Sequence, residues 1–241
     1  MKILVTSAMS AMGRTIAGAL KKHDVKLTDL TGGRTGGIVA NDLNHDAEMD
    51  RLVDGVDAIV HTGYGGQEGD ASSLLDYYSR RTYNLLLAAS NARVDRCIYI
   101  STLKLLQDYE ENLTVTERWR SHPPSNDPAL LACHIGELVC KEFARDRLIK
   151  VATLRLGWPI VTGQRSKATA TGESAALATD DLATVLNAAL GAKIEQWQDV
   201  HVQSPVPGQR YLLHAAQKLF SFPVPPPTPP GQPVARKGAR R

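Results

Sequence analysis

Ser7, Ser10 and Gly13 stand three residues apart, the serines within and the glycine just after a run of small and flexible residues from Thr6 to Met12 that follows the apolar triplet Ile3, Leu4 and Val5. From Gly13 onward Ile16, Ala17 and Leu20 fall on one helical face. A buried strand, a small-residue loop and a helix, in that order, form the first half of a dinucleotide-binding βαβ unit, whose helix N-terminus faces a pyrophosphate. Ser7, Ser10, Ala11, Met12 and Gly13 are therefore candidate cofactor contacts. Such a loop wants glycine where this chain has Ser7 and Ser10, because a Cβ occupies space that a phosphate oxygen needs. The serine hydroxyls could serve as donors instead. The same loop also suits the first turn of an α/β protein that binds no nucleotide.

Other residues extend the pattern. Asp29 ends a second apolar run sixteen positions beyond Gly13, where an acid commonly takes the adenosine ribose hydroxyls and favours NAD over NADP. Arg34, close by, argues for NADP, and a solvated strand-end aspartate fits the position equally well. Asp42 and Leu43 follow a short third apolar run. His61-Thr62-Gly63-Tyr64-Gly65-Gly66 lies beyond a fourth, and glycines past the carboxyl end of a parallel strand let a ligand approach the backbone. Ser101 and Thr102 form the polar exit of a fifth.

The elements that must position these residues read as strands at Ile3–Val5, Val25–Asp29, Ile38–Ala40, Val56–Val60, Arg96–Ile100, Val151–Leu156 and Asp199–Gln203. Between them the spacing predicts helices after Gly13 and over 46–53, 74–92, 129–144, 179–190 and 208–220, with Thr179 as N-cap. That alternation predicts an α/β protein with a Rossmann-like, doubly wound, largely parallel sheet. Lys104 to Pro128 reads as an insertion carrying Trp119 that can cover a site, and Gln164 to Ala176 as a small, polar, mobile stretch. The expected division is a nucleotide-binding domain over 1–163, a small C-terminal lobe with the last sheet elements over 164–222, and a disordered Pro-rich basic tail over 223–241.

Bulk properties exclude several classes. No apolar run approaches a membrane span and the start lacks a signal-peptide layout, so a cytoplasmic protein with no membrane partner is expected. Cys97, Cys133 and Cys140 show no metal-like spacing and suit reduced structural thiols; no metal is expected. Of the 28 basic residues, Arg236, Lys237, Arg240 and Arg241 lie in the last six positions; the remaining 24 face 25 acidic residues, which speaks against nucleic acid.

Six runs, VDAIVHTG, TYNLLLAAS, RCIYISTL, GELVCKEFARD, VATLRLG and TDDLATVLNAAL, agree in order and spacing with one family. Over roughly Met1 to Phe220 the chain resembles the extended short-chain dehydrogenase/reductases, often labelled NAD-dependent epimerases/dehydratases. The resemblance implies a Rossmann sheet with a small C-terminal lobe, a nicotinamide cofactor, a small-molecule substrate such as a nucleotide sugar, and a homodimer packed through the helices near 74–92 and 129–146. It implies cofactor contacts at the positions named above. It also implies a Tyr-x-x-x-Lys pair, the tyrosine moving a proton and the lysine holding the ribose and lowering the tyrosine's pKa. Counting back from Glu137 places that pair at Ala129 and Cys133, which can do neither job. Tyr78 stands where an asparagine is usual. Of the family's catalytic residues only Ser101 and Thr102 remain.

Other residues could take the place of that pair. Cys133 and His134 are helix neighbours about 100° apart and suit a core thiol beside a surface histidine. Tyr109 and Lys104 could fold over the crevice as acid and cation. His61 suits a cofactor edge, Glu117 and Trp119 a substrate pocket, and Arg155 a buried acid. Three readings stay open: a cofactor-binding protein without ordinary redox turnover, an oxidoreductase or epimerase with substitute residues, and a dimeric regulatory or scaffold protein.

Overall fold

The computed structural model describes residues 1–33, 37–206 and 209–223; Arg34, Gly208 and nearly all of the expected tail lie outside them. In chain order the elements are β1 (Lys2–Val5), α1 (Ala11–Ala19), β2 (Asp24–Asp29), β3 (Ile38–Ala40), α2 (Ala47–Val53), β4 (Ala58–Thr62), α3 (Ala71–Asp76), α4 (Thr82–Asn91), β5 (Arg96–Thr102), α5 (Pro128–Arg145), β6 (Lys150–Leu156), β7 (Ile160–Val161), α6 (Arg165–Ala170), β8 (Leu177–Ala178), α7 (Thr179–Gly191), β9 (Trp197–Val202) and α8 (His214–Phe220). A seven-stranded sheet runs β3-β2-β1-β4-β5-β6-β9 with every pair parallel; β7 and β8 pair separately.

Alternation along each strand decides the layers, because successive side chains point to opposite faces. Val5, Val60, Ile98 and Ala152 are in register and pack under α1, α7 and α8. Their neighbours Leu4, Ile59, Cys97 and Val151 form the next row, on the other face, under α2, α4 and α5. Helices on both faces make the central strands mainly apolar, as the sequence pattern implied, although His61, Thr153, Arg155 and His201 are buried among them. Cys97, Cys133 and Cys140 are buried, unbridged thiols in that second core. No helix among the described residues is long and apolar enough to cross a membrane.

Several elements differ from expectation. The helix expected over 74–92 begins at Ala71 and passes through a π-helical turn at Tyr77–Arg81, which turns both Tyr77 and Tyr78 inward. β4 and β5 reach Thr62 and Thr102, so Thr62, Ser101 and Thr102 are ladder residues and not strand exits. The stretch read as mobile holds α6, anchored by Arg165 to Asp181 at 2.7 Å. Thr179 is the first residue of α7 rather than its cap, and its hydroxyl accepts the Gly163 N–H at 2.9 Å. α8 starts at His214 because the Glu117 carboxylate caps the Ala215 N–H at 2.9 Å.

Candidate functional site

The chain leaves β1 outward to β3 and returns at β4, so the strand order reverses between β1 and β4. Ligands of open parallel sheets bind at such a switch, beyond the carboxyl ends of the strands. The fold brings Ser7, Ser10, Asp29, Thr62 and Gly63 to that crevice.

Ser7 adopts φ 52°, the left-handed region that glycine normally fills, at a cost of about 1 kcal/mol. Its hydroxyl meets Tyr77 Oη at 3.0 Å and accepts from Gln67 Nε2 at 3.1 Å. Ser10 is the N-cap of α1: its Oγ accepts the Gly13 N–H at 2.9 Å and donates to the Ser7 carbonyl at 2.8 Å. Gly13 packs so closely that a Cβ would stand 2.0 Å from the Ser7 oxygen. Ala11 and Met12 are left with backbone N–H groups that have no partner among the described residues, at the positive end of α1. A pyrophosphate fits that pair of amides.

The rest of the crevice is satisfied from within. Asp29 accepts Met9 N–H at 2.8 Å and Leu30 N–H at 2.7 Å, and Gln67 Nε2 stands 3.3 Å away. The Asp29 carboxylate thereby ties the loop between β1 and α1 to the end of β2. Asp42 closes on Asn44 at 2.6 Å, and the Leu43 N–H goes to Asn41 Oδ1 at 2.8 Å. Thr62 bonds Thr6 through both its N–H and its hydroxyl. Gly63 leaves room for a neighbouring side chain: a Cβ there would lie 2.1 Å from Tyr99 Cζ. His61 is no cofactor edge. It is wholly buried between Thr6 at 2.8 Å and Thr82 at 2.9 Å, and burial lowers its pKa to about 3, so it stays neutral.

At the catalytic positions, Cys133 lies in the core with its thiol 3.4 Å from Ser101 Oγ, and burial, then the Glu137 charge, pushes its pKa to about 12. Ser101 donates to Glu137 Oε1 at 2.5 Å; Thr102 accepts from Lys104 N–H and donates to the Leu156 carbonyl. Glu137 is chelated by Arg155 at 2.9 and 2.7 Å, and Asp199 lies 3.3 Å from the same guanidinium. Tyr78 and Tyr99 are buried, which raises both phenols well above their ordinary range. His134 is half-buried, not a surface residue.

The substitute pair expected from the sequence does not assemble. Tyr109 packs on Trp119 at 4.5 Å and donates to the Arg120 carbonyl, whereas Lys104 Nζ sits 3.4 Å from Tyr64 Oη. Tyr64 was missed as a partner; its place one residue beyond the Thr62-Gly63 turn was the available signal.

A singly wound half on either side of a switch point, phosphate-ready amides at α1 and seven parallel strands define a Rossmann-like nucleotide-binding fold. The profile of the NAD dependent epimerase/dehydratase family matches residues 3–201, and the chain belongs to that family. It is similar to the uronate dehydrogenase of Pseudomonas syringae pv. tomato, 25% identical over 198 residues that span 78% of this chain and 69% of that protein. Among solved structures, a mutant uronate dehydrogenase from Agrobacterium tumefaciens complexed with NAD superposes with a TM-score of 0.77 at 20% identity, covering 95% of this chain and 92% of that one. The glucuronic acid dehydrogenase of Chromohalobacter salexigens gives 0.76 at 22% identity, covering 94% and 85%. MoeE5, in complex with UDP-glucuronic acid and NAD, gives 0.71 at 15%, covering 94% of each.

Proposed function

We propose that this chain binds NAD, or a related dinucleotide, at the amides of Ala11 and Met12 and lacks ordinary redox turnover. The observation that carries the reading is the chemistry at the α5 positions. Ala129 has no proton to give, Cys133 is a buried thiol with a pKa near 12, and the hydroxyls of Ser101 and Thr102 are already engaged in the fold. A bound nicotinamide ring would supply hydride exchange; the chain's own residues offer it no acid in the family's place. NAD in the structural relatives, and uronic acids or UDP-sugars as their ligands, support NAD and a sugar acid as the molecules to try. The exposed Tyr83 of α4, packed edge-on to Phe143 of α5 at 5.4 Å, supports a dimer through these helices.

NADH fluorescence titration, followed by hydride exchange into uronic acids and UDP-sugars, tests the reading. Saturable binding with turnover far below about 1 s⁻¹ is expected; turnover at that ordinary enzymatic rate overturns it.

The Tyr64 and Lys104 contact favours a second reading, an oxidoreductase with a relocated acid and cation. It sits beyond the ends of β4 and β5, beside the crevice. On that reading Tyr64→Phe and Lys104→Met each lower kcat at least a hundredfold and leave NADH binding intact.

A further inference from the structure

A cavity of about 400 Å³ lies away from the cofactor crevice, between α5, the edge strand β9 and the segment 117–121. Strands β5 and β6 stand between it and β4. Its size is that of a small-molecule site.

Its interior carries donors that the protein does not use. Arg155, only 5% exposed, spends Nε and Nη2 on Glu137 and Asp199, while its Nη1 has no partner among the described residues. His134 Nδ1 and Ser121 Oγ, on two further walls, are also buried without a partner. Three such atoms around one space are unusual, because a buried polar atom left unpaired costs about 1–3 kcal/mol.

The mouth is cationic. Arg118, Arg120 and Lys141 line it, and none has a carboxylate within 4.0 Å among the described residues. The three acids present are committed: Glu117 caps α8, Glu137 is chelated by Arg155 and Ser101, and Asp199 faces Arg155. Trp119 and Trp197 supply apolar walls, with Lys141 Nζ 4.1 Å from the Trp197 ring centroid. A water could take the Arg155 Nη1 proton; it would leave the three rim cations uncompensated.

From the unpartnered Arg155, His134 and Ser121 atoms and the uncompensated rim, we infer that this cavity binds a small organic oxyanion, a carboxylate or phosphate ester whose apolar body lies against Trp119 and Trp197. Arg155 supplies a fixed planar donor, Ser121 a hydroxyl, and the rim cations charge-assisted bonds.

Two of the chain's three tryptophans line the cavity, so fluorescence reports on it directly. Citrate, benzoate and phenyl phosphate are titrated into the full chain at constant ionic strength in chloride, with inorganic phosphate as the arm without an apolar body. At least one organic anion is expected to saturate below about 1 mM and to bind at least tenfold more tightly than inorganic phosphate. A carboxylate winner over phenyl phosphate, or the reverse, assigns the headgroup. The triple variant Arg118→Gln, Arg120→Gln, Lys141→Gln, which alters only surface side chains, is expected to weaken that binding at least tenfold while leaving NADH titration unchanged. Absence of saturation by all the organic anions, or saturation unaltered in the triple variant, overturns the inference.

Discussion

Glu137 and Arg155 form a buried, two-bond ion pair at 2.9 and 2.7 Å, and Ser101 adds a third bond to the same carboxylate at 2.5 Å. α5 and β6 are thereby joined one helical turn beyond Cys133. Breaking one side of such a pair strands the other charge, at a cost of about 3–5 kcal/mol. Glu137→Gln should lose stability of that order in urea denaturation, and a loss under about 1 kcal/mol would show the pair to be dispensable.

The pH dependence follows from the buried imidazoles. Burial lowers His61 and His201 to about 3 from 6.5, so the unfolded chain binds protons that the folded one refuses. Their contribution is complete above about 6.5 and is lost as the pH falls toward about 3. Asp199 acts oppositely: desolvation raises it to about 6, so stability declines as the pH rises from 3.8 to about 6. Urea midpoints should fall between pH 6.5 and 5 in the native chain and fall more steeply in Asp199→Asn. A midpoint indifferent to pH across that interval contradicts the assignment.

Ser10 occupies the Gly13 amide that a phosphate could use. Ser10→Gly should tighten NADH binding severalfold while costing only a few tenths of a kcal/mol as a cap. Calorimetric titration decides it, and weaker binding in the variant removes the steric and competitive argument together.

Gln67 spans the crevice from Ser7 to Asp29 at 3.1 and 3.3 Å. Gln67→Ala clears that span without touching the core. NADH affinity should rise, with the thermal midpoint within about 2 °C of native, a shift worth no more than about 1 kcal/mol at this size. An unchanged dissociation constant means the glutamine does not obstruct the site.

Tyr99 is wedged between two glycines, with a Cβ on Gly136 placed 2.0 Å from its hydroxyl and one on Gly63 placed 2.1 Å from its ring. Gly136→Ala should destabilise by about 1–3 kcal/mol through overpacking. Adding Tyr99→Phe removes the clashing oxygen and should recover part of the loss, a coupling measurable by a double-mutant cycle. Additive losses would mean the two residues do not meet.

The sequence by itself determined the sheet, because strands covered on both faces are mainly apolar and their alternation with helices admits few topologies. It also showed that neither a tyrosine nor a lysine stands at positions 129 and 133. It gave no sign that Gly13 packs against the Ser7 carbonyl, or that Gly63 packs against a tyrosine thirty-six residues away. Only the tertiary structure decided how Asp29, Leu43, Ser7 and Thr62 spend their hydrogen bonds, that Lys104 meets Tyr64 and not Tyr109, and that an Arg155 nitrogen has no partner among the described residues beside a cationic cavity. The reason is physical. A hydrogen-bond partner or a steric neighbour is set by the distance between atoms far apart in the chain, and no local spacing encodes that distance.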